Sequence, residues 1–229
     1  MSTPVFAPAD YFDLKQTDHA ALFHDVTHAW EILPKIADYL EEHLVPANFG
    51  ETIGDPIIGD DVYIGRDTVI EPGAYIKGPA WIGDGCQIRH GAYIRENVII
   101  GAGSVIGNSC EIKNSFLFNG CQVPHFNYVG DSILGAKAHL AAGVIVSNLK
   151  LNGDLITLRV GDEIIATGLR KFGALIGDNV EIGCNAVINP GSILGRNSLI
   201  YPGVAWRGIL PKNSIAKTSD CVRERRTQS

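Results

Sequence analysis

The chain has 229 residues, 45% hydrophobic and 19% charged, which excludes a disordered polymer and suits one large domain or two small ones. Its net charge of −6 offers nucleic acid no bulk attraction, and no apolar run approaches the roughly 18 to 20 residues of a membrane span. The opening MSTPVFAPADYFDL lacks the basic start and apolar stretch of a signal peptide, and five irregularly spaced cysteines do not read as a disulfide framework, so a reducing, cytoplasmic setting is expected.

Residues 1–50 read as an N-terminal helical segment. Between Thr17 and Leu44 the apolar residues keep helical spacing (Ala21, Leu22, Val26, Trp30, Leu33, Ile36, Leu40), interrupted by Pro34. His19, His24, His28 and His43 fall in the same stretch. No acidic or cysteine partner completes a metal site there, and a solvated helix face is expected.

Residues 51–215 are dominated by one repeat. Aliphatic residues recur every six positions from Ile58 through Ile64, Ile70 and Ile76 to Ile112, each with a smaller residue four positions on, such as Val62, Thr68, Ala74 or Cys86. A helix needs a period of about 3.6 and an amphipathic strand about 2. Six fits short strands broken by turns, with one large and one small side chain pointing inward per unit. Two five-residue steps follow (Leu117, Val123, Val129, Leu134, Leu140, Val146), and the register resumes at Ile176, Ile182, Ile188, Leu194 and Ile200. Cys86, Cys110 and Cys121 sit in the small inward slot, so packing is their expected role. Cys184 is outward and Cys221 lies in a basic tail.

An insertion over 148–173 carries LITLRV and EIIAT around Gly161-Asp162, which reads as a β-hairpin projecting as an arm. Residues 216–229 read as a C-terminal tail, loose at RERRTQS.

The repeat resembles the hexapeptide-repeat family, which implies a left-handed parallel β-helix with three hexapeptides per triangular coil. About seven coils are expected, in a prism roughly 30 Å long, with the N-terminal helix covering an open end or a side. The stretch with EIK at Glu111–Lys113, HFNYVGD at His125–Asp131 and Asn148 resembles the acetyltransferase domain of the bifunctional glucosamine-1-phosphate acetyltransferase/UDP-N-acetylglucosamine pyrophosphorylase. That resemblance implies His125 as catalytic base, with Arg89, Lys113 and Lys171 binding phosphate. It also implies Tyr128 and Asn148 as acceptor-binding residues and a backbone amide at Ala142 on the thioester carbonyl. The chemistry is coherent. An amine attacking a thioester must lose a proton, which an imidazole titrating near 6.5 can accept; cations suit a phosphate, and an N–H suits an oxyanion.

The chain departs from the family pattern at His139, Leu149 and Phe118 and in its longer arm, all expected around the acceptor pocket. No Gly-rich phosphate loop precedes the β-helix, so this chain alone is not expected to make a nucleotide sugar. Acetyl-CoA is the expected cosubstrate, without a metal, and the acceptor an amino-sugar phosphate or nucleotide amino sugar of UDP-N-acetylglucosamine biosynthesis. The resemblance further implies a homotrimer with its sites between subunits. Two other readings stand beside it. One is a binding or regulatory module without turnover, favoured by His139, Leu149 and the arm. The other is a zinc-dependent γ-type carbonic anhydrase using His90, His125 and His139, although no histidine follows His125 at the short spacing that family uses.

Overall fold

The computed structural model describes residues 6–224. Short strands of two to five residues stack into three parallel faces around a triangular coil. Face A holds nine strands, from Ala47–Asn48 to Ile209–Leu210, face C eight, from Ile57–Ile58 to Ala205–Trp206, and face B carries the chain between them. Nine stacked strands span roughly 38 Å at about 4.8 Å each, longer than the seven coils expected. The additional coils lie at the ends. Ala47–Asn48 and Glu51–Thr52 pair with the next coil without aliphatic inward residues, and Ile209–Leu210 and Ser214–Thr218 continue beyond Val204.

Register explains the repeat. Val62 pairs with Ala80 eighteen residues on, three hexapeptides per coil, whereas Val98 pairs with Ser115 after seventeen, which absorbs a five-residue step. Ile64, Ile82, Ile100 and Leu117 thus stack in one inward row, and the interior is mainly a ladder of Ile, Val, Leu, Ala and Cys. Burial pushes the thiols of Cys86, Cys110 and Cys121 up, leaving them protonated packing groups.

A second apolar layer lies outside the prism. The outward residues of face A form their own row, Tyr63, Trp81, Ile99, Phe116, Ile133, Leu175, Ile193 and Ile209. The N-terminal segment packs on it, as the one-turn helix Pro8–Tyr11, the 3-10 turns Ala20–Phe23 and Ala29–Lys35, and the α-helix Ile36–His43. Pro34 sits inside the second 3-10 turn, so the expected helix is broken there. Phe12 stacks on Phe118 at 5.0 Å, Phe23 meets Phe116 edge-on at 5.1 Å, and Asp178 Oδ2 accepts from Asp13 N at 2.7 Å. Phe118 is fully buried under this cover. Its difference from the family pattern serves packing on face A, not an acceptor pocket.

The hairpin Thr157–Val160/Glu163–Ala166 emerges between the Ile145–Val146 and Ala174–Ile176 strands, and its inner side chains Leu158 and Ile165 join the same outer layer. Gly191 makes this possible. A Cβ there would stand 2.6 Å from Ile156 Cγ2, at a φ of 77°. The stretch expected as a loose tail is partly strand, because Cys221–Glu224 pairs antiparallel with Ser214–Thr218; residues 225–229 of RERRTQS lie outside the described residues. No described helix is long and apolar enough to cross a membrane.

Of the four N-terminal histidines, His19 is buried and His28 half-buried. His28 stacks on Trp30 at 4.4 Å and accepts from Phe6 N–H at 3.2 Å. His19 is 7% exposed, edge-on to Trp81 at 4.7 Å, with Nδ1 3.1 Å from the Tyr39 hydroxyl. Burial pushes its imidazole down to about 4, aided by His43 and opposed by Asp18. The unfolded chain therefore binds the extra proton first as pH falls below about 6.5. Stability from His19 is complete above that value and is lost progressively toward about 4, by on the order of 3 kcal/mol. Urea unfolding at pH 7.5 and 4.5 should show this loss, and His19→Phe should flatten it; an unchanged pH slope in that variant would reject the assignment.

Candidate active site

Face C presents two clusters at opposite ends of its central strands. At the turn from face B to face C, His125 closes the strand Gln122–His125 and pairs with Asn108 of the preceding coil. Its side chain is exposed. Its backbone is fixed on both sides, since its N–H donates to Asn127 Oδ1 at 3.0 Å and its carbonyl accepts from Gly143 N at 2.9 Å. Asn127 is 2% exposed and occupies an inward slot otherwise filled by Cys, Val or Ala; its Nδ2 donates to Ala141 O at 2.7 Å. One buried amide thus ties the His125 turn to the Ala141–Ala142 turn.

Ala142 follows His125 on the same corner, one coil on. The N–H groups of His90 and His125 on this corner are taken up by Glu71 Oε2 (2.8 Å) and Asn127 Oδ1 (3.0 Å). The Ala142 N–H has no acceptor among the described residues. Arg89 stands two coils before Pro124, so about 10 Å away along the prism, with its guanidinium on Gln87 Oε1 at 2.8 and 3.2 Å.

At the other end of face C the cluster is built on Asp131, which is 5% exposed. Its carboxylate accepts from Asn114 Nδ2 at 2.8 Å and from Asn148 Nδ2, and lies 3.5 Å from Lys113 Nζ. Tyr128 is half-buried beside it. Burial pushes its phenol up, Glu111 and Asp131 add to that, and a hydrogen bond with Asn148 opposes it, so the hydroxyl keeps its proton at neutral pH. Gly130 leaves room for this meeting, since a Cβ there would stand 2.6 Å from the Tyr128 hydroxyl and 2.7 Å from Asn148 Nδ2. Lys171 is exposed and bridges Leu149, while Phe172 N donates to Asn148 O at 2.9 Å.

The structure therefore joins Lys113, Tyr128 and Asn148 in one network, with Lys171 at its edge. It joins His125 to Ala142 in another, and leaves Arg89 two coils away on the His125 side. His139 belongs to neither. It opens the two-residue strand His139–Leu140 on face B, paired with Gln122 and Glu181, so His90, His125 and His139 do not converge as a zinc site would require. Sequence reasoning passed over two residues, Asn127 and Asp131. Asn127 had a signal, a polar residue in an inward slot of an aliphatic ladder. Asp131 had none beyond its place in HFNYVGD, because its burial comes from Asn148 and Gly173, which the insertion delivers.

Residues 76–170 match the GMPPB C-terminal domain family, and residues 173–205 the bacterial transferase hexapeptide (six repeats) family. The chain is 34% identical over 208 residues to the uncharacterized acetyltransferase YaiX of Escherichia coli O6:K15:H31, covering 86% of this chain and 90% of that protein. It is 33% identical over 190 residues to the bifunctional sugar-1-phosphate nucleotidylyltransferase/acetyltransferase of Sulfurisphaera tokodaii, covering 83% of this chain and 47% of that protein. The chain thus spans about half the length of that bifunctional relative. A solved Arabidopsis UDP-N-acetylglucosamine acyltransferase superposes over 75% of this chain and 70% of its own, at 13% identity and a TM-score of 0.41.

Proposed function

Because the chain belongs to the hexapeptide-repeat acyltransferases, enzymes built on a left-handed parallel β-helix, we propose that it transfers an acetyl group from acetyl-CoA to the amine of an amino-sugar phosphate, glucosamine 1-phosphate or a nucleotide amino sugar. One observation carries this reading, an exposed imidazole at His125 beside an N–H at Ala142 that has no acceptor among the described residues. His125 removes the proton as the amine attacks, and the Ala142 N–H meets the negative charge that develops on the thioester oxygen. Coenzyme A leaves as the thiol. Lys113 and Lys171 hold the acceptor's phosphate, with Arg89 serving from the His125 side, and Tyr128 and Asn148 orient the sugar.

The two clusters stand at opposite ends of face C, so one chain does not close both around a small sugar phosphate. A homotrimer resolves this by setting the His125 edge of one copy against the Lys113 edge of the next. The uncovered faces support it. Face A is already occupied by the N-terminal segment and arm, whereas face C exposes Ile57 (62%), Tyr75 (40%) and Ile145 (38%). Such a product would feed UDP-N-acetylglucosamine biosynthesis.

The test is coenzyme A release over a panel of amino-sugar phosphates, with thiol blanks for the five cysteines. Release that depends on one acceptor supports N-acetyl transfer. Silence across the panel in folded, trimeric protein would reject this acceptor class and favour a binding module.

A further inference from the structure

Four aromatic side chains stand exposed among the described residues, and three of them are held by a neighbour. Phe49 meets Tyr63 edge-on at 6.0 Å, Tyr75 stacks on Tyr93 at 5.2 Å, and Tyr201 lies beneath Lys217 Nζ at 5.3 Å. The fourth, Phe126, is 61% exposed, with no aromatic or cationic group on its ring among the described residues. It directly follows His125.

Phe126 also holds an unfavourable backbone. It stands at the corner between faces B and C with a φ of 52°. In other coils the same left-handed corner is taken by Gly73, Gly91, Ser109, Gly143, Asn185 and Gly203, all small or polar. A bulky side chain is disfavoured there, so the turn does not account for the phenyl group. Its neighbours along the corner, Ser109 and Gly143, do not cover it. The apolar surface continues onto face C, where Ile145 is exposed two residues past Gly143. A matching patch lies on the opposite edge of that face. Leu149 and Leu151 follow Asn148 there, the first exposed beside Lys171 and the second fully exposed. A knob on one edge and an apolar seat on the other are the parts of a heterologous interface that closes into a ring.

We propose that Phe126 is a docking knob between copies of this chain, seated against Leu149 and Leu151 of the next copy. Burial of the phenyl group there offsets the backbone conformation that it imposes. The contact sets His125, the residue before it, against the neighbour's Lys113–Asn148 cluster. Each site then takes its base from one copy and its acceptor-binding groups from another. Which edges meet rests on the trimer of the acetyl-transfer reading; the contact itself needs no substrate.

Sedimentation velocity over a dilution series of the full chain, without substrate, tests the contact. The wild-type chain should associate to a trimer, and Phe126→Asn and Leu149→Asn should each raise its dissociation constant about tenfold or more. The double variant should lose less than the product of the two single losses, because both remove one contact. Ile164→Asn, at an equally exposed apolar position on the hairpin, should associate as the wild type does. Urea unfolding of the dissociated chain separates assembly from folding. Phe126→Asn should unfold at the same or a higher urea concentration, since Asn tolerates a left-handed φ. Should that midpoint fall instead, Phe126→Gly, free of the φ penalty, repeats the association test. A wild-type monomer, wild-type affinity in either single variant, independent losses in the double variant, or an equal loss in Ile164→Asn overturns the proposal. So does an intact Phe126→Asn trimer whose only defect is in coenzyme A release, which would place the ring on a substrate. A trimer that depends on Phe126 and Leu149 but transfers no acetyl group would reject the reaction and leave the contact standing.

Discussion

His125→Ala should lower coenzyme A release by about 10²- to 10⁴-fold, the span that general-base catalysis contributes, while leaving the fold intact. The structure separates these two effects. The imidazole is exposed, so its loss opens no cavity. The backbone contacts that define the corner, to Asn127 Oδ1 and from Gly143 N, do not involve the ring. The melting temperature should therefore move by no more than about 2 °C, as for a neutral surface change. Exposure also admits a rescue, because added imidazole should recover part of the lost rate. A variant that keeps more than about a third of the wild-type rate would mean that another group takes the proton.

Periodicity carried most of the fold because a β-helix is locally determined. Each inward Ile or Val needs only its own hexapeptide to find its slot, and neighbours eighteen residues apart repeat the same pattern. The first coil escaped that logic because Ala47–Asn48 and Glu51–Thr52 fill it with small and polar residues. The outer layer was harder. Helical spacing around Trp30 and Leu33 marks an apolar stripe without saying what it meets. The partner was nevertheless written in the chain, since Tyr63, Trp81 and Ile99 recur at eighteen residues just before an inward Ile, a third-face signature distinct from the six-residue repeat. His19 departs from the solvated face expected of it for the same reason, as Trp81 and Phe116 of face A close over it, whereas His28 packs on Phe6 and Trp30 of its own segment. At the candidate site, the motif led to the strands that carry Lys113, His125 and Tyr128 but not to the residues that hold them. Asn127 and Asp131 act through hydrogen bonds across coils, and those depend on register.

Asp131 is the position where that dependence should be most costly. Its carboxylate serves three donors, Asn114, Asn148 and Lys113, in a nearly solvent-free setting. Asp131→Ala would leave two half-buried amides and an ammonium without their acceptor, a loss of about 3 to 5 kcal/mol at the upper end for a broken buried charge pair. The backbone adds to it. Asp131 has a φ of 47°, a left-handed conformation that Asp and Asn tolerate and that costs Ala about 1 kcal/mol. Asp131→Asn isolates the charge, because it keeps the shape and the φ preference but offers one acceptor oxygen and no compensation for Lys113. It should fold, lose about 1 to 3 kcal/mol, and raise KM for the phosphorylated acceptor more than it lowers kcat, since the roles proposed for Lys113 and Asn148 are in binding. Combining it with Lys113→Met should be less damaging than the sum of the two, with a coupling of about 1 kcal/mol or more. Strict additivity in that cycle, or an unchanged KM in Asp131→Asn, would detach Lys113 from Asp131 and reduce the cluster to packing.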